Sequence, residues 1–349
     1  MPGFLKKKEF WGTIIALILL AYCLKDTSPQ DIENLINRVD FYFFIPALIM
    51  EFLMIIVRGY RWKTIVEKTK KIPFFRAVTL YSAGQVINIV MPALTGQIGR
   101  LLLFSKKEGL SKTYVFSTIV IEVLFDAISL LGLILLLSMS FVFPSEYRSI
   151  SYIIAAVTFS ILLLLYVILH FKDKIGAVGR SKLRNRWPGA YITLKKFANS
   201  FTRGIALLRS TQYFFRTLIL SFVAWIFHIL VIYFLFKAFG FQLPFISAVV
   251  IMVINTLALM IPITPGNAGT FELAVVASLL AFKVAKSDAA LFGMALHILD
   301  LIPIFVMGFI FLHSERLSLK EIREEGEKEE IPDHVNDEQN GVMLEKDKI

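Results

Sequence analysis

Cysteine is almost missing from this chain: Cys23 is its single example in 349 residues. One thiol excludes an internal disulfide framework and a cysteine-ligated metal centre. Tyr22 stands where a lipoprotein signal needs a small residue, so Cys23 is read as a helix-packing residue. Charge is scarce too, at 18% of residues, against about a quarter in soluble domains. The sequence has no His-Glu-x-x-His, no Gly-x-Ser-x-Gly and no Walker loop. Its five histidines are scattered without metal-ligand spacing. These gaps argue against an enzyme and give no reason to expect a cofactor or a metal.

Apolar surface is what the chain has in excess. Hydrophobic residues make up 56% of it, and the mean hydropathy is +0.69. Several long apolar runs are accounted for by a bilayer and not by a soluble core. The expected fold is an all-α polytopic membrane protein with about six spanning helices, plus two re-entrant broken-helix hairpins in an inverted repeat. Residues 1–313 form the transmembrane domain in this reading, and 314–349 form an acidic tail, disordered beyond a short extension of the last helix. The tail carries a net charge of −6 and the rest +16, out of a total of +10. In a membrane chain such an excess reports topology and contact with anionic headgroups, and nucleic acid is not an expected partner.

Loop charge sets the orientation. Lys6, Lys7 and Lys8 precede the first apolar run, and no A-x-A-like cleavage site follows it, so an uncleaved helix with a cytoplasmic N-terminus is expected. The loop Lys25 to Asp40 is acidic and belongs outside; a second helix, Phe41 to Val57, returns to the basic loop Arg58 to Arg76. The segment about 77–105 keeps the following lysines inside only if it enters and turns back, since each half is too short to span. Thr113 to Phe143 and Ser151 to Phe171 cross next. The basic stretch 172–212 reads either as an amphipathic helix on the cytoplasmic headgroups or as a solvated loop. Tyr213 to Phe239 crosses outward, 245–283 is again broken, and Ala289 to His313 brings the C-terminus to the cytoplasm. The cell membrane is the expected location.

The two breaks resemble each other. "MPALTGQIGR" and "IPITPGNAGT" both contain Pro, Gly four residues on and Gly three beyond: Pro92, Gly96, Gly99 and Pro262, Gly266, Gly269. A Val-Ile-Asn precedes each, ending at Asn88 and Asn255. Paired broken segments of opposite orientation are the pattern of inverted-repeat transporters; the alternative is chance likeness between two Gly/Pro-rich turns. Proline stops a half-helix, and Pro265 reinforces the second break. Glycine admits close approach, and the next half-helix offers unpaired N–H groups to an anion. Arg100 would add a full charge there, or else snorkel or pair structurally. The candidate binding residues are Asn88, Gly96, Gln97, Gly99, Arg100, Gly266, Asn267 and Gly269.

Charges inside spans are expensive and default to functional hypotheses. Glu122 and Asp126 are four apart and share a helix face, as do His297 and Asp300, three apart. With Glu272, these are candidates for gating, proton holding or ion pairing, the last with Arg100 or His297. For Glu272, complementing its own helix dipole is an equal alternative.

"GQIGRLLLF", "STIVIEVLFDAISLL" and "IPITPGNAGTFELAVVASLLAF" together resemble the lysylphosphatidylglycerol synthetase transmembrane family, a flippase-like module, over roughly Phe10 to His313. Thr264 to Glu272 is the most specific part, followed by Gly96 to Arg100. Members of the family commonly carry Glu where this chain has Gln97, and Arg where it has Val123, so the family's Glu–Arg pairing does not transfer directly. The aminoacyl-transfer domain has no counterpart here. The resemblance implies movement of a lipid headgroup between leaflets, with membrane lipids, mainly anionic ones, as partners and a homo-oligomer compatible with it. The residues leave open a proton-coupled carrier of a small anion and, further off, an intramembrane lipid-modifying enzyme.

Overall fold

Length and composition of the helices decide the architecture. The computed structural model describes residues 8–90, 93–138, 210–259 and 264–314, with isolated residues at 156, 159–160, 163, 195 and 199–202. Among the described residues, four helical stretches are long and apolar enough to cross a bilayer: Phe41–Val66, Lys112–Leu136, Thr211–Ala238 and Lys286–Ser314. The chain is thus an all-α polytopic membrane protein. The expected span 151–171, most of the basic segment 172–212, and the tail beyond Ser314 lie outside the described residues, as do Pro92 and Pro262.

The first apolar run forms α1 (Lys8–Leu24), and the expected loop after it contains a helix, α2 (Pro29–Arg38). Ser28 starts α2 with a capping box: its Oγ accepts from the Asp31 N–H at 3.2 Å, and its own N–H donates to Asp31 Oδ2 at 2.8 Å. Pro29 at the first helical position adds to the start signal. The two helices meet at a bend of 75°.

A larger difference concerns α3, which runs Phe44–Val66 and does not stop at Val57. Arg58 and Arg61, expected in a cytoplasmic loop, therefore sit on a helix, and Arg61 is 0% exposed. A counter-charge from another helix keeps it there, as described below.

The first broken segment forms α4 (Phe74–Val90) and α5 (Ala93–Glu108). At 17 and 16 residues each extends roughly 25 Å, short of the ~30 Å hydrocarbon layer. They fold back on each other: Gly96 lies against Asn88, while Gly84 lies against Arg100 and Phe104. The break is tighter than the sequence suggested, because α5 begins at Ala93. Gly96 and Gly99 are therefore inside the helix, and a Cβ at Gly96 would stand 2.8 Å from the Asn88 Cα. Its use is close helix approach, not turning.

After α6 (Lys112–Ser138) and α7 (Thr211–Ala238) comes the second broken segment, α8 (Phe245–Ala258) and α9 (Thr270–Ala281), which pack on each other. Here the break is open. Gly266, Asn267 and Gly269 have φ of 58°, 59° and 82°, a left-handed run that ordinary side chains resist. The last helix is α10 (Lys286–Ser314).

The core is built where small residues let helices touch. α3 meets α4 at Gly59, α10 meets α4 at Gly308, and α3 also packs along α7. Trp62 of α3 and Phe104 of α5 pack beside the first crossing with centroids 4.4 Å apart and planes tilted by 55°. A Cβ at Gly59 would come within 2.6 Å of the Val78 Cα, which is backbone and cannot yield by rotamer change. Gly59→Leu is expected to cost at least about 1–3 kcal/mol by overpacking. The check is thermal unfolding in detergent, which should show a lowered transition or loss of the monodisperse species.

Candidate functional site

Chemistry-bearing side chains gather in the bundle interior because four helices each turn a polar stripe inward. On α3, Glu51, Arg58 and Arg61 fall at seven and three residues' spacing, close to one face. Helix α7 contributes Ser221 and His228, α6 contributes Glu122 and Asp126, and α10 contributes His297 and Asp300. Each stripe faces another helix, so the charges meet in pairs.

Beside the first hairpin, Arg100 is 5% exposed and forms an ion pair with Glu122. Its guanidinium also stacks over Tyr81 and Phe104, 4.9 and 5.1 Å from the ring centroids. Asp126, one turn on from Glu122, turns instead to Arg61. That pairing is two-pronged, with the Nη2–Oδ2 bond at 2.9 Å, and Arg61 Nη1 donates further to Ser221 Oγ at 2.8 Å. Glu122 and Asp126 thus share a helix face, as their spacing requires, yet each holds its own arginine. Arg58, with its guanidinium 4.9 Å from the Trp225 ring centroid, lies within electrostatic reach of Asp126 and of Glu51.

The second break is tied down from within. The Gly269 N–H donates to Glu272 Oε2 at 2.7 Å, so Glu272 caps the start of α9. His297 bridges Glu272 Oε1 at 2.8 Å through Nδ1 and the Gly266 carbonyl at 3.1 Å through Nε2. With Glu272 ionised both partners accept, so the ring donates from both nitrogens and is the cationic partner of Glu272. Phe271 stacks on that ring at 4.4 Å with the planes 10° apart. Glu272 therefore both complements the helix dipole and pairs with His297.

The structure also brings the two breaks together. A Cβ at Gly266 would lie 3.4 Å from the Ile89 side chain at the end of α4. Asn88 and Asn267 are half-buried around this meeting point, and Gln97 is exposed. Val123 is 56% exposed, so this departure from the family pattern lies on the outer face of α6, away from the Arg100–Glu122 pair. Gly99 is buried within α5. Asp300 is not with its neighbour's partner: it faces Glu51 and His228, all three offering ligand atoms within 4.8 Å of one another.

Arg58, Arg61, Glu51 and His228 were not among the sequence candidates. The two arginines sat in a basic stretch that reads as loop, and a single His among apolar residues carries no signal without its neighbours. The i, i+7, i+10 spacing on α3 was the one available clue.

Two converging broken hairpins joined by a buried file of charged residues, within an all-α membrane bundle, define the class: a membrane-embedded module with a polar interior. The family is equally plain. Residues 10–308 match the lysylphosphatidylglycerol synthase transmembrane region, and the chain belongs to that family. Similar curated proteins are archaeal. A UPF0104 membrane protein of Pyrococcus horikoshii is 22% identical over 89% of this chain and 98% of its own length. One from Methanocaldococcus jannaschii is 24% identical over 85% and 90%, respectively. No solved structure matches the chain.

Removing one partner of a buried ion pair leaves the other charge stranded, at a cost of about 3–5 kcal/mol. Asp126→Ala is expected to destabilise by about that amount because Arg61 is wholly buried. The double variant Arg61→Met/Asp126→Leu should recover much of the loss. Denaturant or thermal unfolding of the wild type, both single variants and the double variant in one detergent gives the coupling directly.

Proposed function

We propose that this protein moves an anionic lipid, a phospholipid or a polyprenyl-phosphate-linked lipid, between the leaflets of the cell membrane. The observation that carries the reading is the buried file of charges connecting the two broken hairpins: Arg100–Glu122, Asp126–Arg61, Arg58, and His297–Glu272 at the second break. Charge at that depth is costly and is retained where a polar group passes or binds. The hairpins differ in a way that assigns them roles. The first turn of α9 contains Glu272, which already satisfies its helix start, whereas that of α5 contains no acid. The α5 end, with Arg100 two turns along, is the better anion site. A phosphate arriving there competes with Glu122 for Arg100, which makes the ion pair a latch that the headgroup opens.

In this reading the protein is a transporter and not an enzyme, and its partners are membrane lipids. The N- and C-termini lie in the cytoplasm in this reading, which the basic loops support under the positive-inside rule. A proton-coupled solute carrier is the weaker reading, since Glu122 and Asp126, the carboxylates it would use, are each committed to an arginine.

Reconstitution tests this. Vesicles containing the wild type should equilibrate a fluorescent anionic phospholipid at least about tenfold faster than protein-free vesicles, equivalent to about 1.4 kcal/mol of barrier. Arg100→Gln/Glu122→Gln, which leaves neither charge stranded, should lose most of that acceleration per protein incorporated. Wild-type vesicles no faster than empty ones, for phospholipid and for a polyprenyl-phosphate probe alike, would overturn the assignment.

A further inference from the structure

The polar file contains one cluster that no close ion pair explains. Glu51 of α3 is 0% exposed, and among the described residues neither of its carboxylate oxygens has a hydrogen-bond partner. His228 of α7 is also buried, with its Nδ1 unpartnered, and Oδ1 of Asp300 on α10 is unpartnered as well. All three point at one another. His228 Nδ1 is 3.6 Å from Glu51 Oε2 and 3.8 Å from Asp300 Oδ1.

Those separations are too long for hydrogen bonds and suit a shared ion. Ligand atoms in a tetrahedral shell with bonds of about 2.1 Å stand about 3.4 Å apart. The two separations from His228 are within a few tenths of an ångström of that value, and all three ligand atoms lie within 4.8 Å of one another. Charge is consistent with this, because two carboxylates and a neutral imidazole balance a divalent cation within the site itself. Arg58, the nearby cation, cannot serve in its place as it lies: its guanidinium is over the Trp225 ring. The donor set decides the class of ion. One imidazole with two carboxylates suits zinc or manganese, whereas calcium and magnesium favour all-oxygen shells.

We propose that Glu51, His228 and Asp300 form a binding site for one divalent transition-metal ion of the zinc–manganese class. The ion joins α3, α7 and α10 at the middle of the charged file, between the Arg61–Asp126 pair and the His297–Glu272 pair. Asp300 has the most exposed side chain of the three, 17% against 10% for His228 and 0% for Glu51, so a fourth ligand enters from its side. With three protein ligands and one open position the site resembles a site for exchangeable ligands more than a closed structural one. This inference does not rest on lipid movement and stands or falls separately from it.

The full chain, purified in detergent without chelator, is equilibrated with Zn2+ and separately with Mn2+, then desalted and analysed for metal. The wild type should retain about one ion per chain, and Glu51→Gln and Asp300→Asn should retain less than about a tenth of that. Wild type retaining no metal, or both variants retaining as much as wild type, overturns the proposal. Should the variants not survive extraction, electron paramagnetic resonance of the Mn2+-loaded wild type decides alone. Coupling to one imidazole nitrogen is required, and its absence overturns the site.

Discussion

An arginine with no access to solvent, in the middle of an apolar bundle, is the constraint on which the rest of this structure depends. Arg61 can stay on α3 only because Asp126 of α6 and Ser221 of α7 meet its guanidinium. That requirement fixes the rotation of three helices about their axes, since each must present its polar residue to one point. Apolar packing alone would leave those rotations free, because lipid tails and leucine side chains offer similar environments. The ion pair adds little net stability, given the desolvation of both charges, but it selects one arrangement among many of comparable packing energy.

From that fixed point the other charges follow by helical spacing. Arg58 is one turn before Arg61, and Glu51 two turns before Arg58. Glu122 is one turn before Asp126, which sets it against Arg100 of the first hairpin. On α10, His297 reaches the second break while Asp300 turns to Glu51 and His228. The interior is thus a single file of cationic and anionic groups, ending at a broken helix on either side. Neither hairpin spans by itself, and the two breaks abut each other, with Ile89 beside Gly266. A polar headgroup taken between them would exchange partners with fixed charges and would not face hydrocarbon.

The likeness between the two breaks in sequence conceals a difference in use. Gly266 and Gly269 hold left-handed backbone, so the second break is a turn that glycine makes possible. Gly96, at the matching position of the first, is helical and exists for close contact with Asn88. The same letters at the same spacing serve turning in one hairpin and packing in the other. Glu272 completes the contrast by closing the start of α9, while α5 has no equivalent acid.

The sequence by itself determined the all-α membrane class, the four long apolar helices, the two broken segments and the family, because hydropathy and Pro/Gly punctuation act locally along the chain. It also marked Arg100, Glu122, Asp126, Glu272, His297 and Asp300, since charges within apolar runs stand out without any structure. Their partners were decided only in three dimensions. Arg58 and Arg61 read as loop because a cluster of basic residues normally ends a span, and only the counter-charges of α6, distant in sequence, make it favourable for α3 to carry them inside. Glu51 stood inside the expected span Phe41 to Val57, yet its role, like that of His228, was not legible: a buried polar residue takes its meaning from the helix across from it, and the sequence does not say which helix that is.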